Sequence, residues 1–285
     1  MKNISIGFNL LVWSATISEE LLPMAERLKK IGYDGLETSM GETREEPYRK
    51  FGREAGDMGL KVNCCLAVGA DENPVSESAA VRQKGLDKIK WSVDRAHDMG
   101  GNLVCGPFHS AFATFSRKAP TEQEYAWSAE ILQKAGEYAA QANVILALEA
   151  LNRFECYLCN TMDQLVKLVN QVGHPSVVTM YDTHHANIEE KNITNSIINT
   201  GSLLQHVHIS ENDRGTPGEG HIQWEQTFAA LSEINYKGWM TIEAFTRNDP
   251  DFANAINVWR EYSSPWDIAE KGHRFIKDMC EKHGL

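Results

Sequence analysis

Four acidic or imidazole side chains sit at corresponding places in four short apolar runs. Glu149 closes Val144-Ile145-Leu146-Ala147-Leu148-Glu149, and Asp182 closes Val177-Val178-Thr179-Met180-Tyr181-Asp182. His208 lies in His206-Val207-His208-Ile209, and Glu243 closes Met240-Thr241-Ile242-Glu243. An unpaired carboxylate at the end of a buried strand is costly to desolvate, and three close together repel one another. A divalent cation removes both costs. Three carboxylates with one imidazole suit a hard or intermediate ion, Mn2+ foremost with Co2+ and Mg2+ beside it, and do not suit a thiolate-rich zinc site. Taken singly, each residue reads equally well as a buried polar group paired to a Lys or Arg. Four at equivalent strand ends read as one cation site. Glu37, near the end of another such run, reads first as a core ion pair and second as a group that orients a ligand.

The elements that must position these groups are legible as an alternation. β-like runs at 4–10, 35–39, 61–66, 102–107, 144–151, 177–183, 206–212 and 239–245 are separated by amphipathic, charged segments. Eight strands alternating with helices are what a closed parallel sheet requires. The expected class is α/β, a single (β/α)8 TIM barrel with residues 1–285 as one domain; a doubly wound open sheet is the rival. Active sites of such barrels lie at the C-terminal strand ends, so strands five to eight deliver the four groups to one rim. Helix signals support the alternation. Ser18-Glu19-Glu20 precedes apolar Leu21, Leu22, Ala25 and Leu28, and Ile31-Gly32 closes that helix. Thr121-Glu122-Gln123-Glu124 opens another, and Thr161 with Gln164 opens a third in the manner of a capping box. Glycines in 31–35, 99–102 and 234–238 suit tight helix-to-strand turns at positive φ.

Charge and composition narrow the partners. Twenty-eight basic residues against 39 acidic ones give a net charge of −11. That sign repels phosphate backbones and anionic membranes, so neither nucleic acid nor a membrane is expected as a partner. No apolar run approaches the ~20 residues of a membrane span, and the N-terminus enters a strand-like segment without a signal-peptide pattern. A cytoplasmic protein with a small-molecule substrate is expected. The six cysteines read as free thiols; Cys156 and Cys159 form a C-x-x-C pair with no second pair at zinc-ribbon spacing.

The residues around the four candidates extend into longer motifs. These are Leu148-Glu149-Ala150-Leu151-Asn152-Arg153-Phe154-Glu155, Asp182-Thr183-His184-His185-Ala186-Asn187-Ile188-Glu189-Glu190, His208-Ile209-Ser210-Glu211-Asn212-Asp213-Arg214 with Pro217-Gly218-Glu219-Gly220, and Glu243-Ala244-Phe245. Through them the chain resembles, over nearly its whole length, the D-tagatose 3-epimerase family, which includes D-allulose (D-psicose) 3-epimerases within the xylose-isomerase-like barrels. The resemblance implies a metal-dependent isomerase that inverts C3 of a free ketose of the D-tagatose, D-allulose or D-fructose type. It implies Glu149, Asp182, His208 and Glu243 as metal ligands, with Glu149 and Glu243 also the acid and base flanking a cis-enediolate. Glu155, His185 and Arg214 match positions that contact the sugar's O1–O2 end. Phe8, Trp13, Cys65 and Phe245 match positions that line the pocket. A homodimer or homotetramer follows by the same analogy. Strands five and eight are three steps apart in a ring of eight, which lets the two glutamates reach a substrate from nearly opposite sides.

Three departures leave the sugar open. No Trp stands in the loop 108–120, where Phe112 takes its place; Ala244 replaces a Pro or Ser, and His184 a Tyr or Phe. Phe108, His109, Phe112 and Phe115 in that loop read as a lid or as surface covering, while His184 and His206 read as structural and Glu211 as a carboxylate supporting the metal site. Related barrels with the same ligands isomerise aldoses to ketoses or act on 3-keto-glycosides, including C-glycosides. A sugar-binding barrel without activity would have lost a ligand or one of the paired glutamates. A metal-dependent endonuclease for abasic DNA would need more ligands and a basic face.

Overall fold

Residues 4–285 are described by a computed structural model. The strands are β1 (Ser5–Asn9), β2 (Gly35–Ser39), β3 (Lys61–Cys65), β4 (Leu103–Gly106), β5 (Ile145–Leu148), β6 (Val177–Asp182), β7 (Leu204–Ile209) and β8 (Trp239–Ile242). Each pairs in parallel with the next, and β1 pairs with β8, closing the barrel in sequence order. Around it run α1 (Leu22–Ile31), α2 (Glu46–Asp57), α3 (Ala79–Asp98), α4 (Glu122–Gln141) and α5 (Met162–Val172). They are followed by α6 (Thr183–Glu189), α7 (Ile193–Thr200), α8 (Trp224–Glu233), α9 (Pro250–Ala255) and α10 (Pro265–His283). The expected capping box of Thr161 with Gln164 forms at α5, and Thr121 with Glu124 makes a second one at the expected start of α4. The open-sheet alternative is excluded by the β1–β8 pairing.

Alternation along each strand decides which side chains enter the barrel. The large apolar core, including Leu146, Val207 and Ile242, fills the layer between strands and helices. A much smaller apolar cluster, Leu103, Cys105, Ala147, Val178 and Met180, forms on the opposite face of β4 to β6. Elsewhere the buried polar residues Asn9, Glu37, Asn63, His206 and His208 take the alternating positions. One side of the barrel is thus packed with hydrocarbon and the other with hydrogen-bonding groups.

The turns into the strands follow two different constraints. Gly32 ends α1 in the left-handed conformation at φ 119°, as its position predicts. In the stretch 234–238, however, Asn235 takes the positive φ, at 51°, and Gly238 does not. Asn tolerates that conformation, which leaves Gly238 free to meet the Gln205 carbonyl closely. Gly101 is likewise required by proximity: a Cβ there would lie 1.9 Å from the Val62 carbonyl oxygen. Among the described residues no helix is long and apolar enough to cross a membrane, and the six cysteines are free.

Because backbone, not a side chain, blocks Gly101, Gly101→Ala is expected to destabilise the protein by about 1–3 kcal/mol. In a thermal melt each kcal/mol lowers the midpoint by about 2–4 °C; an unshifted midpoint would refute the close approach.

Candidate metal centre and active site

The last turns of β5 to β8 bring the four candidates together. Asp182 and His208 are partners in the β6–β7 register, and Glu149 and Glu243 follow directly on the ends of β5 and β8. One ligating atom from each lies within 4.8 Å of the others, and all four residues are buried. Asp182 has two tasks. Its Oδ1 caps α6 by accepting from the backbone N–H of His184 at 2.7 Å and His185 at 3.0 Å. Its Oδ2 faces inward, accepting from Ser210 Oγ at 2.8 Å and Arg214 Nη1 at 2.9 Å. Glu149 is held from behind: its carbonyl accepts from His109 Nε2 at 2.8 Å, and His109 Nδ1 in turn accepts from Ser110 Oγ at 3.0 Å.

His208 is oriented from below. Its Nε2 lies 2.9 Å from Glu37 Oε1, while Nδ1 faces Glu243 Oε2 at 3.4 Å and Asp182 Oδ2 at 3.7 Å. Burial lowers the affinity of His208 for a proton, but Glu243 and Glu37 outweigh it and hold its pKa well above the usual imidazole value. Burial, reinforced by the charge of Glu243, pushes Glu149 well above the usual carboxylate range. Burial acts the same way on Asp182, yet Arg214, then His185 and His208, hold that carboxyl well below its usual value.

The donor set fits a divalent cation. Glu149 Oε1 and His208 Nδ1 are fully buried without a hydrogen-bond partner. Such atoms are costly unless something binds them. Both point into the space shared with Asp182 and Glu243, and the oxygen-rich set with one imidazole matches a hard or intermediate ion. Arg214 supplies positive charge there, its Nη1 lying 2.9 Å from both Asp182 Oδ2 and Glu243 Oε2. It is therefore a buried part of the site and not a solvated loop arginine.

A cavity of about 420 Å³ opens above the four residues. Its wall divides by strand of origin. The loops after β5 to β8 contribute Glu149, Glu155, His185, Arg214 and Glu243. The β1, β3 and β4 side contributes Leu11, Cys65, Ala67, Pro107 and Phe112, while Phe245, Phe252, Ile256 and Val258 come from the chain after β8. His185 is held at both ring nitrogens: the Asn152 backbone N–H donates to Nδ1 at 3.1 Å, and Arg214 Nη2, which can only donate, lies 3.0 Å from Nε2 in the cavity wall. Asn152 also donates from Nδ2 to Glu155 Oε1 at 2.9 Å.

Of the expected sugar-side residues, Glu155, His185, Arg214, Cys65 and Phe245 reach the cavity wall. Phe8 and Trp13 do not. Phe8 is fully buried, packed on Trp13 and Tyr33 with ring centroids 5.3 Å apart, and Trp13 stacks towards Trp266 at 5.0 Å. The residue after β1 that lines the cavity is instead Leu11, in the short turn that Asn9 caps. In the loop 108–120, Phe108 and His109 are fully buried and Phe115 is exposed; Phe112 alone of these lines the cavity. Glu211 turns away from the site and ties its own loop, accepting from Gly218 N at 2.8 Å, Ile222 N at 3.2 Å and Trp224 Nε1 at 3.2 Å. The segment 250–258 was not foreseen as a wall, although Asp249-Pro250 is a helix-start signal that places α9 there.

Much of the motif sequence is scaffolding. Glu189 accepts from Arg153 through its backbone N–H at 2.8 Å and its side chain at 2.9 and 3.0 Å, which locks the loop after β5 onto α6. Glu190 accepts from Met162 N at 2.7 Å, at the start of α5.

Comparisons with known proteins agree with this architecture. The profile of the family described as xylose isomerase-like TIM barrel matches residues 25–279. An L-ribulose 3-epimerase of Methylomonas sp. (strain DH-1) is 29% identical, covering 97% of this chain and 98% of the relative. A D-psicose 3-epimerase of Agrobacterium fabrum is 30% identical, covering 90% of this chain and 91% of the relative. A crystal structure of D-allulose 3-epimerase from Methylomonas sp. in complex with D-allulose superposes with a TM-score of 0.91 at 28% identity, covering 97% of each chain.

Asp182→Asn keeps the oxygen that caps α6 and removes the charge facing the cluster. It is expected to fold normally and, after dialysis against Mn2+, to fall from one ion per chain to none by elemental analysis; retained stoichiometric Mn2+ would remove Asp182 from the ligand set. Burial holds His109 neutral, its pKa lowered from 6.5 to about 4. The unfolded chain therefore takes up a proton that the folded one refuses, and stability drains away as pH falls from 6.5 towards 4. In metal-free protein, His109→Gln should make chemical-denaturation stability less steep in pH over that window, and an equal slope would contradict the assignment.

Proposed function

Because the chain belongs to the xylose isomerase-like TIM barrels and, within them, to the ketose 3-epimerases, we propose that it inverts C3 of a free, unphosphorylated ketose with Glu149 and Glu243 as the acid–base pair. The observation that carries this reading is their placement: two cavity-lining glutamates after β5 and β8, three strands apart around a closed ring of eight. Epimerisation needs a proton removed from one face of a carbon and one delivered to the other. Two carboxyl groups on opposed sides do this; a proton shuttle between C1 and C2 needs one face only. The pair alternates roles with direction: the carboxylate that takes the C3 proton ends protonated, and the carboxyl opposite ends as carboxylate after giving its own.

Glu149, Asp182, His208 and Glu243 would hold the divalent ion, for which Mn2+ is proposed with Co2+ and Mg2+ as substitutes. When bound, the ion supplies Lewis-acid polarisation of the oxygens flanking C3 and so acidifies that C–H. Asp182 and His208 hold position, since the cap on α6 and the Glu37 contact immobilise both. His185 and Arg214, joined at Nε2, stand at the sugar's carbonyl end, with Glu155 beside them through its neighbour Asn152. Arg214 is the cation of the wall, and Asp182 and Glu243 already engage it. A phosphate would have to compete with both, which supports an unphosphorylated substrate.

Incubation with Mn2+ and a panel of ketoses in D2O, followed by NMR, should give the C3 epimer carrying deuterium at C3. Label at C1 or C2 with an aldose product would establish an isomerase instead. Glu149→Gln and Glu243→Gln should each lower turnover by at least ~100-fold, and epimerisation surviving in either would sink the two-carboxylate scheme.

A further inference from the structure

Beneath the four candidate ligands lies a buried carboxylate that the proposed reaction does not use. Glu37 is 1% exposed. Its Oε1 accepts from Asn9 Nδ2 at 2.7 Å and from His208 Nε2 at 2.9 Å, and its Oε2 accepts from Cys105 Sγ at 3.1 Å. His206 Nε2 lies 3.0 Å from Oε2 but out of line for a hydrogen bond. No Lys or Arg is among these contacts, so a core ion pair with either is not what Glu37 makes. Asn9 Nδ2 also approaches Glu243 Oε1 at 3.4 Å, while Asn9 Oδ1 is fixed by Leu11 N at 2.9 Å.

We propose that Glu37 is a positioning residue for the metal ion: with Asn9 it forms a hydrogen-bonded line, His208–Glu37–Asn9–Glu243, that sets the tautomer and orientation of His208 and couples it to Glu243. As a metal ligand His208 would be a neutral imidazole, which carries one N–H. Glu37 takes it at Nε2, and Nδ1 is thereby left with its lone pair towards Asp182 and Glu243. Without Glu37 the hydrogen can move to Nδ1 and bond the very carboxylates that should hold the ion. The line runs through β7, β2, β1 and β8, so it joins ligands across the point where the barrel closes. It explains why a buried carboxylate is kept beside Cys105 and His206, where a hydrocarbon side chain would avoid its desolvation.

The proposal rests on the metal-site reading above but not on the identity of the sugar. Mn2+ affinity is measured by competition with a chromophoric chelator on metal-free protein, alongside the melting temperature of the same samples. Wild type should bind one Mn2+ per chain. Glu37→Gln should bind it about 10–100-fold more weakly, melt near wild type when metal-free, and recover turnover when Mn2+ is raised to saturation. Unchanged affinity overturns the positioning role while leaving the ligand set intact; no Mn2+ bound by wild type overturns both. Should Glu37→Gln fail to fold, Cys105→Ala removes the donor at 3.1 Å from Glu37 together with a longer contact to His208 Nε2 at 3.9 Å, and a weakening of about 3–10-fold is expected; no change there again overturns the proposal. A second Mn2+ or Zn2+ per chain that disappears in Cys105→Ala would make Glu37 a ligand in its own right and overturn it as well.

Discussion

Negative charge crowded into a buried volume is the constraint on which the rest of this barrel depends. Glu149, Asp182 and Glu243 converge within a few ångströms, Glu37 lies directly below, and the guanidinium among them is that of Arg214. In water such groups would separate; here strands hold them, and the cost falls on neighbours that must neutralise or hydrogen-bond each oxygen. Almost every polar side chain near the mouth can be read as an answer to that demand. Ser210 and the start of α6 serve Asp182, Asn9 serves Glu37, and His109 fixes the backbone of Glu149. Among the four candidate ligands, the atoms left without a hydrogen-bond partner are Glu149 Oε1 and His208 Nδ1.

Parallel strands suit the task because their register is rigid and their side chains alternate. Placing Asp182 opposite His208 in one ladder fixes their spacing without help from any loop. The outward neighbours Val207 and Ile209 anchor the same strand in the apolar layer beneath the helices. Chemistry and stability are thus carried by alternate residues of one segment.

The sequence made the barrel and the four converging residues legible for a simple reason. An apolar run that ends in a charge states both a strand and its exit end, and the Thr121 and Thr161 caps state where helices begin. Side-chain direction after a strand ends was less legible. Phe8 and Trp13 looked like pocket walls, but Phe8 lies on the strand face that packs beneath the helices, and Trp13 follows a turn that carries it towards Trp266. Glu211 looked like support for the metal site, but three loop amides and an indole N–H draw it the other way. Glu37 was visible as a charge in a strand, yet its partners Asn9, Cys105 and His208 come from three other strands, and no local pattern announces such a meeting. Asn235 taking the positive φ three residues before Gly238 shows the same limit on a smaller scale.

The division of the cavity wall has a consequence for how such a protein can change. The groups that touch protons and charge come from β5 to β8, whereas Leu11, Ala67, Pro107 and Phe112 come from the opposite half-barrel. Substitutions at these four positions alter shape and wetting without moving a ligand. Preference for one sugar over another can therefore be retuned as a nearly independent variable, by design or by drift, while the reaction itself stays fixed.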